Sequence, residues 1–356
     1  MSGSEEYTKS REIWSLKCAK CGRCIQICPT YRVTKWEHLS PRGRIILSPY
    51  TEEDAELVKS IFSCLTCGIC EAACPSDVDV TEIMERTRER YTKQRILPER
   101  HLRLLDNMVK TGNPYGDEIE MYETDDRVDL IYYPGCTSLA REKEIFDSTV
   151  KILDSMDVSF GVEFRYCCGS TSLRIGGDLS YAEKNYLRLK DVLKKTGAKT
   201  ILVNCPGCYR TIKRDYEKFG GLNADVLHIT EFLSMNTDRL RLKKENLKVT
   251  FHDSCHLARH MGIVEEPRKI LSLVADLVEP ENSKMDSFCC GGGGGVRVSY
   301  RDLTRAVRKV RIEQLKKTGA EIAVTSCPYC YRNLKNGAEG LSIKDLTTFI
   351  AERLRK

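Results

Sequence analysis

The sequence predicts an α/β protein in three parts, a helical N-terminal unit followed by two copies of one α/β unit. Three observations carry this reading: the cysteines are grouped, one long segment recurs at a fixed offset, and in the recurring part β-rich runs alternate with helical ones. Residues 193–213, LKKTGAKTILVNCPGCYRTIK, align with 315–335, LKKTGAEIAVTSCPYCYRNLK, at a constant offset of 122, with 12 of 21 positions identical. Each copy reads helix, Gly stop, apolar strand, then Cys-Pro-x-Cys opening a new helix. The runs DLIYYPGC (129–136) and KVTFHDSC (248–255) extend the equivalence, each β-rich and ending in a cysteine. The boundaries expected are 1–95 for the helical unit, 96–127 for a linker around the turn-forming TGNPYGDE, 128–243 for the first α/β unit and 244–356 for the second.

Composition narrows the function classes. The 57 Lys and Arg nearly balance 51 Asp and Glu, and the basic residues are scattered, so nucleic-acid binding is not indicated. The polar start MSGSEEYTKSREIW lacks the apolar core of a secretory signal, and no stretch approaches the roughly 18–20 apolar residues that cross a bilayer. A cytoplasmic location is expected, with any membrane contact made through a partner chain. In a reducing compartment, 18 clustered cysteines point to metal or redox chemistry rather than to disulfides.

Eight cysteines fall in two N-terminal runs, CAKCGRCIQICP (18–29) and CLTCGICEAACP (64–75), both C-x2-C-x2-C-x3-C-P. This is the spacing of bacterial [4Fe–4S] ferredoxins, in which the fourth cysteine of each run ligates the other cluster. Cys18, Cys21, Cys24 and Cys74 are therefore expected to hold one cubane, and Cys64, Cys67, Cys70 and Cys28 the other. A zinc scaffold is the alternative, but zinc prefers two separated ligand pairs. PRGRIILSPY, TEEDAELVKSIFSC and VTEIMERTRERYTKQR surround the second run with helical sequence, so this unit resembles the helical dicluster ferredoxin domain of respiratory dehydrogenases.

The other ten cysteines form two matching sets: Cys136, Cys167, Cys168, Cys205 and Cys208, then Cys255, Cys289, Cys290, Cys327 and Cys330. The first and fourth of each set follow strands, where ligand sites of open α/β sheets form. Cys208 and Cys330 sit in a first helical turn, whose dipole favours a thiolate. Five thiolates in one pocket imply an unusual cluster, or a cubane plus a reactive thiol.

The doubled Cys-Cys-Gly pattern behind a dicluster unit resembles the CCG domains of the heterodisulfide reductase catalytic subunit. CCG domains occur also in iron–sulfur subunits of glycerol-3-phosphate, glycolate and lactate dehydrogenases. The resemblance implies a noncubane [4Fe–4S] cluster in each five-cysteine set, two cubanes upstream, and a disulfide gripped between the two CCG domains. The coenzyme M–coenzyme B heterodisulfide is the substrate it implies. No flavin or nicotinamide motif appears on this chain. Electrons would come from a partner such as a membrane cytochrome b, a flavoprotein or a hydrogenase-linked subunit, in a hetero-oligomer. The alternative is an electron-transfer subunit, relaying from a flavin dehydrogenase to a quinone or cytochrome.

The run CCGGGGG (289–295) satisfies a dinucleotide-loop glycine spacing only through abundance, and its counterpart CCGSTSL (167–173) does not satisfy it at all. Its glycines are expected to let backbone approach cluster sulfur and substrate. In HDSCHLARH (252–260), His256 is the candidate proton donor. His252 and His260 share the alternative of hydrogen bonding to cluster sulfur or of lying on a helix surface. Thr137 occupies the place of His256 in the first half. Arg210, Lys213, Arg332 and Lys335 recur after the Cys-x-x-Cys pairs, as anion contacts or as charge balance for the clusters. Arg174 and Arg297 follow each Cys-Cys-Gly as further anion contacts. Trp14 and Trp36 are expected in the core.

Overall fold

A computed structural model describes residues 17–355. Trp14 lies outside them.

The N-terminal unit is helical: Pro29–Thr34, Pro41–Leu47, Ala55–Phe62, Ile69–Ala72 and Val80–Lys93. Local signals start these helices. Proline opens the first two, Ser40 caps the second by accepting from Gly43 N, and Asp54 and Asp79 cap later ones by accepting from Leu57 N and Glu82 N. Ile45, Ile61, Phe62, Val78, Met84 and Tyr91 form its core. Trp36 is not in that core. Lys35 takes the left-handed conformation that ends Pro29–Thr34, and the indole beyond it is 64 % exposed. The stretch 96–127 carries a helix of its own, Glu99–Thr111, which buries His101 and Met108 and stops at Gly112 with φ +74°.

Among the described residues the strands form two parallel four-stranded sheets. The first contains β1 (Leu130–Tyr133), β2 (Phe160–Val162), β3 (Thr200–Val203) and β4 (Asp225–His228), in the order β2-β1-β3-β4. The second repeats this order with β5 (Lys248–His252), β6 (Asp276–Leu277), β7 (Ile322–Thr325) and β8 (Ser342–Asp345), as β6-β5-β7-β8. The central strands β1, β3, β5 and β7 are buried almost throughout, as strands covered on both faces must be.

The two sheets share one apolar core. Leu130, Tyr132 and Leu202 of the first unit belong to the same cluster as Val249, Phe251 and Val324 of the second. Helix Lys143–Ser155 packs on Leu346–Ala351, while Ile229–Met235 packs on Glu266–Ser272. These contacts exchange equivalent helices of the two units, so the repeats are related by a pseudo-two-fold axis, as in an isologous dimer. The same symmetry pairs the cysteine-bearing helices: Pro206–Lys213 meets Cys255–Met261, and Pro328–Lys335 meets Cys136–Ala140. Residues equivalent under a two-fold can touch each other only near its axis, and Cys205 and Cys327 do so.

The N-terminal unit docks on both repeats through Arg88 and the glycine run. The buried Arg88 guanidinium donates to Ile61 O and Cys64 O of its own unit, to Arg174 O (2.7 Å) in the first repeat and to Gly294 O (3.1 Å) in the second. A side chain on Gly293 would come within 2.6 Å of Leu65 O, one on Gly294 would strike Cys64 O, and one on Gly295 would strike His101. The glycines border the cavity described below, and Gly293 and Gly294 make their tightest approach to the N-terminal unit's backbone. Gly294 and Gly319 both have positive φ, yet only Gly294 is crowded. Gly319→Ala should therefore cost about 1 kcal/mol of backbone strain, whereas Gly294→Ala should cost several-fold more and expose the segment between the units. Apparent melting temperature and limited proteolysis of the two variants check this.

Candidate metal centres and active-site cavity

All eighteen cysteines lie among the described residues, and all are free thiols. Cys28, Cys64, Cys67 and Cys70 enclose one small pocket, which is the set expected for the second cubane. Two neighbours supply cation character there. Burial raises the Cys64 thiol while Arg44 and Arg88 oppose that rise, and Arg44 Nη1 lies 3.9 Å from Cys28 Sγ. Cys18, Cys24 and Cys74 border the apolar cluster of this unit, and Cys21 is exposed.

In the first repeat Cys136 opens a helix straight after β1, and Gly135 at φ +77° brings that turn close to Cys208 Sγ. Cys136 Sγ lies 3.5 Å from Cys167 Sγ, and Cys168 Sγ 3.3 Å from Cys208 Sγ. Cys205 is the N-cap of Pro206–Lys213, so Cys208 sits in its first turn. The second repeat copies this plan. Cys255 opens a helix after β5, and Cys327 caps Pro328–Lys335 by accepting from Cys330 N at 3.3 Å. The Cys-Cys-Gly turns are pinned differently: Tyr216 Oη donates to Cys168 O, whereas Asn333 Nδ2 donates to Cys290 O.

Five cysteines of the first set and four of the second line a single cavity of about 520 Å³ between the repeats. The tenth, Cys289, packs in one buried cluster with Cys67 of the N-terminal unit. The sulfur contacts thus form a continuous series from Cys67 to Cys289, and through the second set and Cys327 to Cys205. Free thiols converging in groups of four and five fit iron–sulfur clusters.

The histidines separate by environment. His256 borders the cavity, with Nδ1 3.4 Å from Cys255 Sγ. His260 serves docking instead: Nε2 meets Thr66 O at 2.9 Å, and burial holds its pKa well below the usual range. His252 is buried against Cys290 and Cys330. Thr137, opposite His256, is engaged by the Tyr115 hydroxyl at 2.9 Å.

The arginines divide in the same way. Arg174 borders the cavity, but its guanidinium pairs with Glu85 at 3.0 Å and with Asp215, and Arg210 pairs with Glu85 at 3.3 Å. These two fasten the first repeat to the helix Val80–Lys93. Lys213 binds Tyr209 Oη and Val226 O, and Lys335 pairs with Glu142 and Glu144. Arg297 and Arg332 do face the cavity, stacked against Tyr329 and Tyr115. Sequence reasoning missed Arg141, Arg301, Arg305 and Arg308, which join them on its wall. Arg297, Arg301, Arg305 and Arg308 are spaced four, four and three residues apart, a helical period that was there to be read. Burial lowers the Arg308 pKa, and the charges of Arg297 and Arg305 lower it further.

Residues 130–213 and 249–335 each match the cysteine-rich CCG domain, and 17–79 match the 4Fe-4S dicluster domain. A subunit of the Methanosarcina barkeri dihydromethanophenazine:CoB–CoM heterodisulfide reductase is 31 % identical over 95 % of this chain and 93 % of its own. This chain belongs to the family of that heterodisulfide reductase subunit. It is an iron–sulfur protein of the oxidoreductase class. Its other relatives include a subunit of the fumarate reductase (CoM/CoB) of Methanothermobacter marburgensis, 28 % identical over 96 % of this chain and 71 % of its own. A hypothetical protein from Helicobacter pylori shares the fold alone, with TM-score 0.57 at 9 % identity over 92 % of this chain and 66 % of that one. No helix among the described residues is long and apolar enough to cross a membrane.

Glu85 neutralises two cations in a largely buried site. Glu85→Gln should lower stability by roughly 3 kcal/mol, because Arg174 keeps Asp215 but Arg210 is left uncompensated in a largely buried site. A fall in apparent melting temperature, absent from the exposed control Glu99→Gln, checks it.

Proposed function

We propose that this chain reduces a heterodisulfide of the coenzyme M–coenzyme B type, using electrons delivered by a partner protein. The observation that carries the reading is the shared cavity: cysteines of both repeats face one space whose walls carry arginines. We assign Cys18, Cys21, Cys24 and Cys74 to one cubane and Cys28, Cys64, Cys67 and Cys70 to the other. Cys136, Cys167, Cys168, Cys205 and Cys208 hold one noncubane cluster, and Cys255, Cys289, Cys290, Cys327 and Cys330 the second. Clusters bound there supply electrons singly, and two facing one disulfide supply the pair that its cleavage requires.

The overall step is RS–SR′ + 2e⁻ + 2H⁺ → RSH + R′SH. The chain's own residues bind, orient and protonate. Arg297, Arg308 and Arg332 take the anionic arms of the substrate, and an anion relieves the repulsion that Arg297 and Arg305 impose on Arg308. His256 delivers a proton at the Cys255 side of the cavity. On this reading electrons enter through the second repeat, whose Cys289 packs in one buried cluster with Cys67 of the N-terminal unit.

The membership of several relatives in multi-subunit oxidoreductases supports a hetero-oligomer with an electron-donating partner. A protein named EtfAB:quinone oxidoreductase, from Syntrophomonas wolfei, is 28 % identical over 93 % of this chain, with this chain spanning 56 % of it. That likeness supports the alternative, a relay from a flavoprotein to a quinone.

Protein made without air should carry about 16 irons per chain with matching sulfide if all four clusters form; zinc in their place would end the reading. With a chemical reductant it should cleave the heterodisulfide, and the substrate should perturb its paramagnetic signals. Neither effect would occur in a pure relay. Arg297→Ala and Arg332→Ala should each raise KM for the anionic disulfide about tenfold, the loss of one charge-assisted contact, with little change in kcat.

A further inference from the structure

Counting back three residues from Cys136 and Cys255 sets Tyr133 against His252. Counting back 16 from Cys205 and Cys327 sets Leu189 against Arg311. The two halves therefore differ beside their cysteines. His252 and Arg311 are both fully buried, and Arg311 Nε lies 3.0 Å from His252 Nδ1. A guanidinium only donates, so Nδ1 is the acceptor and the neutral ring carries its proton on Nε2. Nε2 is buried without a hydrogen-bond partner. The ring packs against the Cys290 and Cys330 sulfurs, with one of its nitrogens within 4.8 Å of both.

Two uses are open to a histidine aimed at thiolates: ligand or hydrogen-bond donor. A ligand needs its lone pair on Nε2, which would turn an N–H at Nδ1 into the N–H of Arg311. The buried arginine excludes that tautomer. Backbone donors to sulfur are matched in the two repeats, at Gly169 and Gly291 after the Cys-Cys pair and at Cys208 and Cys330 in the helix turn. The histidine is not matched. Tyr133 turns its hydroxyl away to Tyr166 O, and Leu189 offers no donor. The groups that receive the bonds of Arg311 are neutral: His252, Asn282 O and Gln314 Oε1.

We propose that His252, fixed in one tautomer by Arg311, donates a hydrogen bond to the Cys290 and Cys330 sulfurs and holds the second noncubane cluster at a higher reduction potential than the first. Hydrogen bonds to sulfur and nearby charge are among the protein's means of setting cluster potentials. The inference rests on the assignment of a cluster to each set. Its consequence is that the two sulfurs of a bound disulfide meet unequal centres, and the first electron settles on the side nearer Cys67.

The test is an anaerobic redox titration of the holoprotein followed by electron paramagnetic resonance, with iron analysis alongside. Wild type should show two noncubane signals with separated midpoints. In His252→Leu one of them should fall by about 59 mV, a tenfold change in a one-electron equilibrium, with iron content and the other three clusters unchanged. Arg311→Leu, which copies the first repeat, should move the same signal downward. His252→Asn, which keeps an N–H donor, should restore most of the shift. Unmoved midpoints at full iron content overturn the inference while leaving the cluster assignment intact. Loss of one cluster's iron in His252→Leu shows a ligand and also overturns it. A wild type without iron in either five-cysteine set removes the assignment itself.

Discussion

A single buried guanidinium holds the three parts of the chain together. Arg88 spends all five N–H bonds on carbonyls, two at Ile61 and one each at Cys64, Arg174 and Gly294. Burial pulls its pKa down, and the neighbouring Cys64 pulls it back up. A cation in such a place is tolerated only when it is fully hydrogen-bonded and compensated. The carbonyls it reaches are those that bring a cysteine of the N-terminal unit up to the glycine run of the second repeat. Any slip in this junction would open a gap between Cys67 and Cys289, where the two sulfur groups meet.

Arg88 is one of several. Arg44 lies beside Cys28, the half-buried Arg259 has Cys67, Cys255 and Cys289 around it, and Arg311 donates to His252 beside Cys290. The cations nearest the cysteines are therefore these residues, whereas Arg210, Lys213 and Lys335 have carboxylate, hydroxyl or carbonyl partners elsewhere. Buried cations beside neutral thiols are costly, and the same cations beside thiolates are not.

The sulfur chemistry was readable from the chain because ligand spacing is local: a run of eleven residues, or Cys-Pro-x-Cys at a helix start, carries its geometry within itself. The α/β units were readable for the same reason, through β-rich runs ending in cysteine. What could not be read is what depends on packing between units. Gly293, Gly294 and Gly295 look like a ligand loop in one dimension, and become a docking surface only once Leu65 and Cys64 lie against them. The arginines 301, 305 and 308 show a helical period in one dimension, but only the packing of the two repeats places them with Arg297 on the wall of a cavity. Trp36 has the composition of a core residue, but the left-handed Lys35 before it decides its direction.

Near the pseudo-axis, Cys205 faces its own counterpart Cys327. A homodimer built from one repeat could reproduce that meeting, yet it would be bound to present every side chain twice. Joining both copies in one polypeptide lifts that obligation. Thr137 can stand across from His256, Tyr133 from His252 and Leu189 from Arg311 without disturbing the shared core. The covalent link thus turns a symmetric clamp into one with a left and a right hand.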